Sequence, residues 1–175
     1  DTFKVPKVNV WGISDKDLFL QANEVFRQKD KPFFAYIQTS DNHRPYTIPD
    51  RDSDFVKLVV ADEELKKYGF ESLQEYNAFR YSDYCFRKFI EAAQKETYFQ
   101  NTIFVFVGDH GIPGNSNAMY PRSFNELSLT SNHVPLLFYA PQLLQPKTVH
   151  HEKSDLHHRH YIIDRHYHTG PGTKN

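Results

Sequence analysis

A single cysteine, Cys85, occurs among the 175 residues. One thiol closes no internal disulfide and builds no Cys-based zinc site, so both kinds of staple are excluded. A surplus of charge is lacking too: 21 Lys+Arg stand against 22 Asp+Glu, for a formal net charge of -1. An electrostatic nucleic-acid binder carries a strong basic excess, so no nucleic-acid partner is expected. Nor is there a run of about 18 apolar residues, the length a membrane helix needs, or an apolar leader near Asp1. No internal repeat is visible. What remains is a domain-sized chain with no membrane span in this sequence, long enough to bury about 70% of its unfolded surface.

Histidine is present and unevenly placed. Of ten, seven fall late: His150, His151, His157, His158, His160, His166 and His168. From about Lys153 the sequence is polar and loses its periodicity. The expected organisation is a globular part over residues 1–152 and a divergent, disordered His-rich tail over 153–175. His157, His158 and His160 are suited to adventitious transition-metal binding at most.

Within the globular part, Ser14 with Asp17 three residues on resembles a capping box. Leu18, Ala22, Val25 and Phe26 then recur at helical spacing, predicting a helix over 15–28. Residues 33–38, Phe-Phe-Ala-Tyr-Ile-Gln, read as a strand buried on both faces, and 39–54 as a loop. A short helix is expected around 61–67 and a long one over 73–95. Residues 102–107 read as a second buried strand ended by Gly108, and 134–139 as a third ended by Pro141. Helices alternating with apolar strands predict an α/β fold with a mainly parallel sheet. Three strands are few for such a sheet, so the chain reads as part of a larger domain.

In open α/β sheets, ligands bind beyond the carboxyl ends of the strands. Three polar clusters fall at strand ends here: residues 39–46 after the first, 108–111 after the second and 131–133 before the third. Asp109-His110 places a carboxylate and an imidazole side by side at a Gly-flanked turn. Oxygen and nitrogen donors together suit Mn, Zn or Mg. The plainer reading is a capping Asp beside a surface His. His43 and His133 are each either surface residues or ligand contacts. Arg44 is either a solvated charge or a planar fork for phosphate or sulfate.

Taken in order, Phe33-Phe34-Ala35-Tyr36-Ile37, Asn42-His43-Arg44-Pro45-Tyr46, Arg80-Tyr81-Ser82-Asp83, Asn101-Thr102-Ile103-Phe104-Val105, Gly108-Asp109-His110-Gly111 and His133-Val134-Pro135-Leu136-Leu137 resemble the sulfatase family of the alkaline phosphatase superfamily. The likeness is nearest the branch of lipoteichoic acid synthase and the phosphoglycerol transferases, and it covers roughly residues 9–150. It implies a partial alkaline-phosphatase-like sandwich, a mainly parallel sheet flanked by helices, with 1–152 as the C-terminal part of the catalytic domain. It also implies a chemistry: a Thr, Ser or formylglycine-forming Cys attacks phosphorus or sulfur, and water or an alcohol resolves the covalent intermediate. A divalent cation (Mn, Zn, Mg or Ca) holds the nucleophile and neutralises the transferring group.

By this resemblance Asp109 and His110 are metal ligands, His43 contacts the substrate's anionic group or leaving oxygen, and His133 is a further phosphate- or metal-proximal histidine. Arg44, beside His43 and suited to anions, joins the expected substrate-binding set. The Asp-His pair leans toward the phosphotransferase branch. No residue matches the nucleophile: Thr2 precedes any strand, and Cys85 lies in a helix without the Cys-x-Pro-x-Arg pattern. After Lys153, Ser154-Asp155-Leu156-His157-His158 departs from the family's usual continuation. The expectation is therefore a fragment inactive alone, acting on sulfate or phosphate esters only with the missing N-terminal part of its parent, a bacterial cell-envelope enzyme. The alternative is a non-catalytic metal- or anion-binding module derived from that family.

Overall fold

Ser14 opens helix α1 (Asp15–Phe26) in the way its spacing predicts. Its hydroxyl accepts the Asp17 N–H at 3.2 Å and donates to the Asp17 carboxylate at 2.8 Å. Helix α2 (Asp62–Lys67) is a short turn, and α3 (Leu73–Ala93) is the long helix of the fold. A second cap, Ser72, accepts the Glu75 N–H at 3.1 Å and starts α3. These elements belong to a computed structural model that describes residues 5–111 and 118–145, nearly all within the compact unit Asp1–Leu144. The His-rich tail expected over 153–175 lies outside the described residues.

The core forms along α3. Ala78, Tyr81, Cys85, Phe89 and Ala93 recur at three- and four-residue spacing and are buried, the inward stripe of an amphipathic helix. Phe19 of α1 stacks on Phe89 with centroids 4.9 Å apart and leans on Phe86 at 5.2 Å. The same two rings meet strand β1 (Phe104–Val107), Phe89 against Phe104 at 5.8 Å and Phe86 against Phe106 at 5.1 Å. Each buried Phe contributes about 2–3 kcal/mol from area alone.

Strand β2 (Leu136–Tyr139) completes the sheet in register with β1, Phe104 opposite Tyr139 and Val107 opposite Leu136. The layers match expectation, helices packed on a sheet, but the strand pair of the described residues runs antiparallel rather than parallel. The reason is the connection. It leaves β1 at Gly108 and re-enters β2 at the same end, with the short helix α4 (Arg122–Glu126) and a 3₁₀ turn (Leu129–Asn132) among its described residues.

Two strand readings need correction. Residues 33–38 form no strand, because no described backbone pairs with them; Phe34 is 92% and Tyr36 76% exposed. Nor is β1 buried on both faces, and β2 shares its exposed side. Phe104 and Phe106 turn to the helices, whereas Val105, Val107, Leu136 and Phe138 form an uncovered outer face. No described helix is long and apolar enough to cross a membrane.

Candidate active site

The loop leaving β1 is fixed by its two glycines. Gly108 N–H donates to Pro135 O at 3.3 Å, and Gly111 N–H donates to Ser131 O at 2.8 Å. A Cβ on Gly111 would stand 2.0 Å from the Thr130 carbonyl oxygen, so only glycine lets the two backbones approach this closely. Residues 108–111 are thereby clamped to the 3₁₀ turn that precedes β2.

Within this clamp, Asp109 Oδ1 accepts the His110 N–H at 2.9 Å, and His110 Nδ1 lies 2.8 Å from Gly111 O. A carbonyl only accepts, so this bond places a hydrogen on Nδ1, and in the neutral ring Nε2 then carries the lone pair. That Nε2 is 4.0 Å from Asp109 Oδ2, and both side chains are exposed, 68% and 77%. Donors sharing one tetrahedral cation through bonds of about 2.1 Å lie roughly 3.4 Å apart, so these two exposed side chains could hold one after closing slightly. Among the described residues no group of three donors forms a complete site.

His133 stands at the same end of the sheet. Its carbonyl would be 3.2 Å from a Gly111 Cβ. Its ring stands nearly perpendicular to those of Tyr120 and Phe124, with Tyr120 Oη 3.3 Å from Nδ1. Asp109, His110 and His133 are thus brought to one rim.

His43 and Arg44 belong to a second cluster, and no hydrogen bond, ion pair or ring contact among the described residues joins them to the first. Their loop is held at three points. Ser40 N–H and Asp41 N–H donate to the Asp15 carboxylate at 2.8 and 3.1 Å, and Asp15 N–H donates back to Asp41 Oδ2 at 2.6 Å. Arg44 Nη2 reaches Glu71 Oε2 at 2.6 Å, committing the guanidinium within the chain. Tyr46, at φ 60 in the left-handed region, donates its hydroxyl to Glu75 Oε1 at 2.9 Å; holding a non-glycine residue there costs of order 1–3 kcal/mol. The Arg44–Pro45 peptide is cis.

Sequence reasoning missed two features. Trp11 packs on His43, ring centroids 4.3 Å apart, and its indole N–H donates to Arg44 O at 2.8 Å. Its signal was modest: the one Trp of the chain, before a glycine. The other is a buried acid group, Asp15, Asp41 and Asp52, beneath the His43 loop. Asp52 is met by Lys16 and by the Tyr81 hydroxyl. Burial, reinforced by Asp15, pushes the Asp41 carboxyl up to about 7. Burial also raises the Cys85 thiol well above its ordinary value, which keeps it protonated and unreactive.

The residues carrying these two clusters match known proteins. The chain is 25% identical over 148 residues to a lipoteichoic acid synthase-like protein, YvgJ, of Bacillus subtilis, a match covering 79% of this chain and 23% of that protein. It is 26% identical over 136 residues to lipoteichoic acid synthase 1 of the same organism, covering 74% of this chain and 20% of the relative. The chain thus spans about a fifth of the length of these curated relatives. A solved protein of the alkaline phosphatase superfamily from Vibrio parahaemolyticus superposes with a TM-score of 0.56 at 32% identity, over 79% of this chain and 30% of that one. Residues 2–164 match the sulfatase family itself, well over half of the sequence, and this chain belongs to that family.

Proposed function

We propose that residues 1–152 are the C-terminal part of a metal-dependent, sulfatase-like catalytic domain that hydrolyses or transfers phosphate or sulfate esters, with the nucleophile supplied by sequence outside these residues. One observation carries this reading: at the end of β1, His110 Nε2 and Asp109 Oδ2 are open, exposed and 4.0 Å apart. They form a half-site that other ligands must complete. The uncovered face of β1 and β2 and the unpaired residues 33–38 support a domain that continues beyond this layer. The family match and the kinship with lipoteichoic acid synthases favour phosphoglycerol transfer and a bacterial cell-envelope setting for the parent enzyme.

In this reading Asp109 and His110 would hold a divalent cation, Mn, Zn, Mg or Ca. Bound there, the cation would supply Lewis-acid polarisation and charge neutralisation at the transferring group. The residues of the chain do the rest. Gly111 locks the loop, and its carbonyl fixes the His110 tautomer. His43 and His133 present imidazoles to the ester's anionic oxygens. Arg44, tied to Glu71, acts on the ester only if that ion pair opens on binding.

Calorimetry of the chain with Mn and Zn, set against Asp109→Ala, tests the proposal; the comparison removes any contribution of the tail histidines. We expect weak binding that Asp109→Ala abolishes, and no turnover of aryl phosphate or sulfate. Binding indifferent to Asp109→Ala would refute the metal site. Robust turnover abolished by Asp109→Ala would instead show a nucleophile within the chain. Tight binding of metal and phosphate without turnover, even in the parent protein, would favour the non-catalytic module.

A further inference from the structure

We propose that Trp11 is a positioning residue for His43, fixing Nδ1 as the protonated nitrogen and leaving Nε2 as the one that faces substrate. This deepens, and rests on, the reading of His43 as a contact for the ester's charged group.

Trp11 is presented by a tight turn. Gly12 N–H donates to Asn9 O at 3.3 Å, Val8 N–H to Gly12 O at 2.6 Å, and Trp11 N–H to Asn9 Oδ1 at 2.8 Å. Gly12 at φ 136 closes the turn in a region other residues rarely adopt. From this platform the indole N–H donates to Arg44 O at 2.8 Å, and His43 Nδ1 approaches the same oxygen at 2.9 Å. An oxygen with two lone pairs takes both donors, but it cannot donate, so Nδ1 carries the hydrogen. Trp11 keeps that carbonyl turned toward the imidazole, and its ring, 4.3 Å from that of His43 between centroids, limits the swing of the histidine.

Three polar groups beside His43 in the loop already have partners. Arg44 Nη2 bonds Glu71, Pro45 O accepts from Gln74 Nε2 at 2.8 Å, and the Tyr46 hydroxyl donates to Glu75. Among the described residues His43 Nε2 has no such partner. Its imidazole is exposed, so that nitrogen is open to accept a hydrogen bond when neutral or to donate one when protonated.

Long-range ¹⁵N–¹H spectra of the intact chain, with the His43 signals identified by His43→Gln, read the tautomer directly. The neutral imidazole should be in the Nδ1–H form. Trp11→Ala should lower the ratio of the Nδ1–H to the Nε2–H form by about fivefold, the worth of one ordinary hydrogen bond. Trp11→Phe keeps a ring on the imidazole and removes only the N–H, so it should fall between; it decides the matter if Trp11→Ala does not fold. An Nε2–H form in the unsubstituted chain, or a ratio unmoved by both substitutions, would overturn the proposal. The spectra need no metal, ester or turnover, so they stand even if the catalytic reading fails. Inorganic phosphate added afterwards, shifting the Nε2 signal or leaving it in place, tests that reading separately.

Discussion

Replacing Asp41 by Asn removes the charge this fold tolerates least. Asp41 is 1% exposed; one carboxylate oxygen holds the Asp15 N–H at the start of α1, and the other, Oδ1, is buried with no partner among the described residues. Burial raises its pKa first, and Asp15, Asp52 and Asp17 add like charge, so the carboxyl moves from an ordinary 3.8 to about 7. The folded chain therefore keeps a proton that the unfolded chain releases above pH 4. The stability Asp41 contributes is complete below about pH 4 and is lost as pH rises through 7. At ~1.4 kcal/mol per pH unit the gap corresponds to a ceiling of ~4 kcal/mol. Relaxation around the charge brings the observable to about 2–4 kcal/mol. Asp41→Asn keeps an oxygen for the Asp15 N–H and cannot ionise. Urea unfolding of both proteins from pH 4 to 8 should find them similar at the acid end and the variant ahead at the neutral end. Asp54, lowered to about 2 by Lys88 and Tyr84, acts in either protein and cancels in the difference. Asp15, also raised by burial, is instead relieved of the Asp41 charge in the variant and adds to its lead at the neutral end. A difference that stays constant across the window, or grows toward acid, would refute this account of the buried acids.

Gly111→Ala should cost about 1–3 kcal/mol in urea unfolding, because the backbone of Thr130 rather than a flexible side chain blocks the new methyl, and it should weaken Mn binding at Asp109 and His110 as the loop shifts. Ser72→Ala should cost about 1 kcal/mol in the same assay through the lost cap of α3, with no effect on metal binding.

The helices were legible because their signals are local. Ser14 and Asp17 cap α1 as read, and the apolar spacing over 73–95 yields α3 to within two residues. The strands were half legible. The apolar runs at 102–107 and 134–139 do pair, but their direction depends on the path of residues 108–135, which polar composition does not encode. For 33–38 the composition reports an apolar segment, and pairing needs a partner backbone.

At the site, the Gly-flanked Asp109-His110 pair stood out because glycine marks close backbone approach, which Gly111 makes against Thr130. Arg44 could be read only as a free fork, since its partner Glu71 is 27 residues away in sequence. Trp11 lies 32 residues before His43, and nothing in either residue's neighbourhood announces the pairing. Asp15 and Asp41 read as ordinary polar residues; only the fold buries them against each other.

The outer face of β1 and β2 also has a consequence for the life of the polypeptide in the cell. Val105, Val107, Leu136 and Phe138 present an exposed hydrophobic ladder beside strand edges that pair with no further strand among the described residues, the kind of surface that templates aggregation. A ribosome that releases this segment without cover hands it to holdase chaperones and proteases. Covering that ladder, rather than any of the histidines, would then decide how long the segment escapes them.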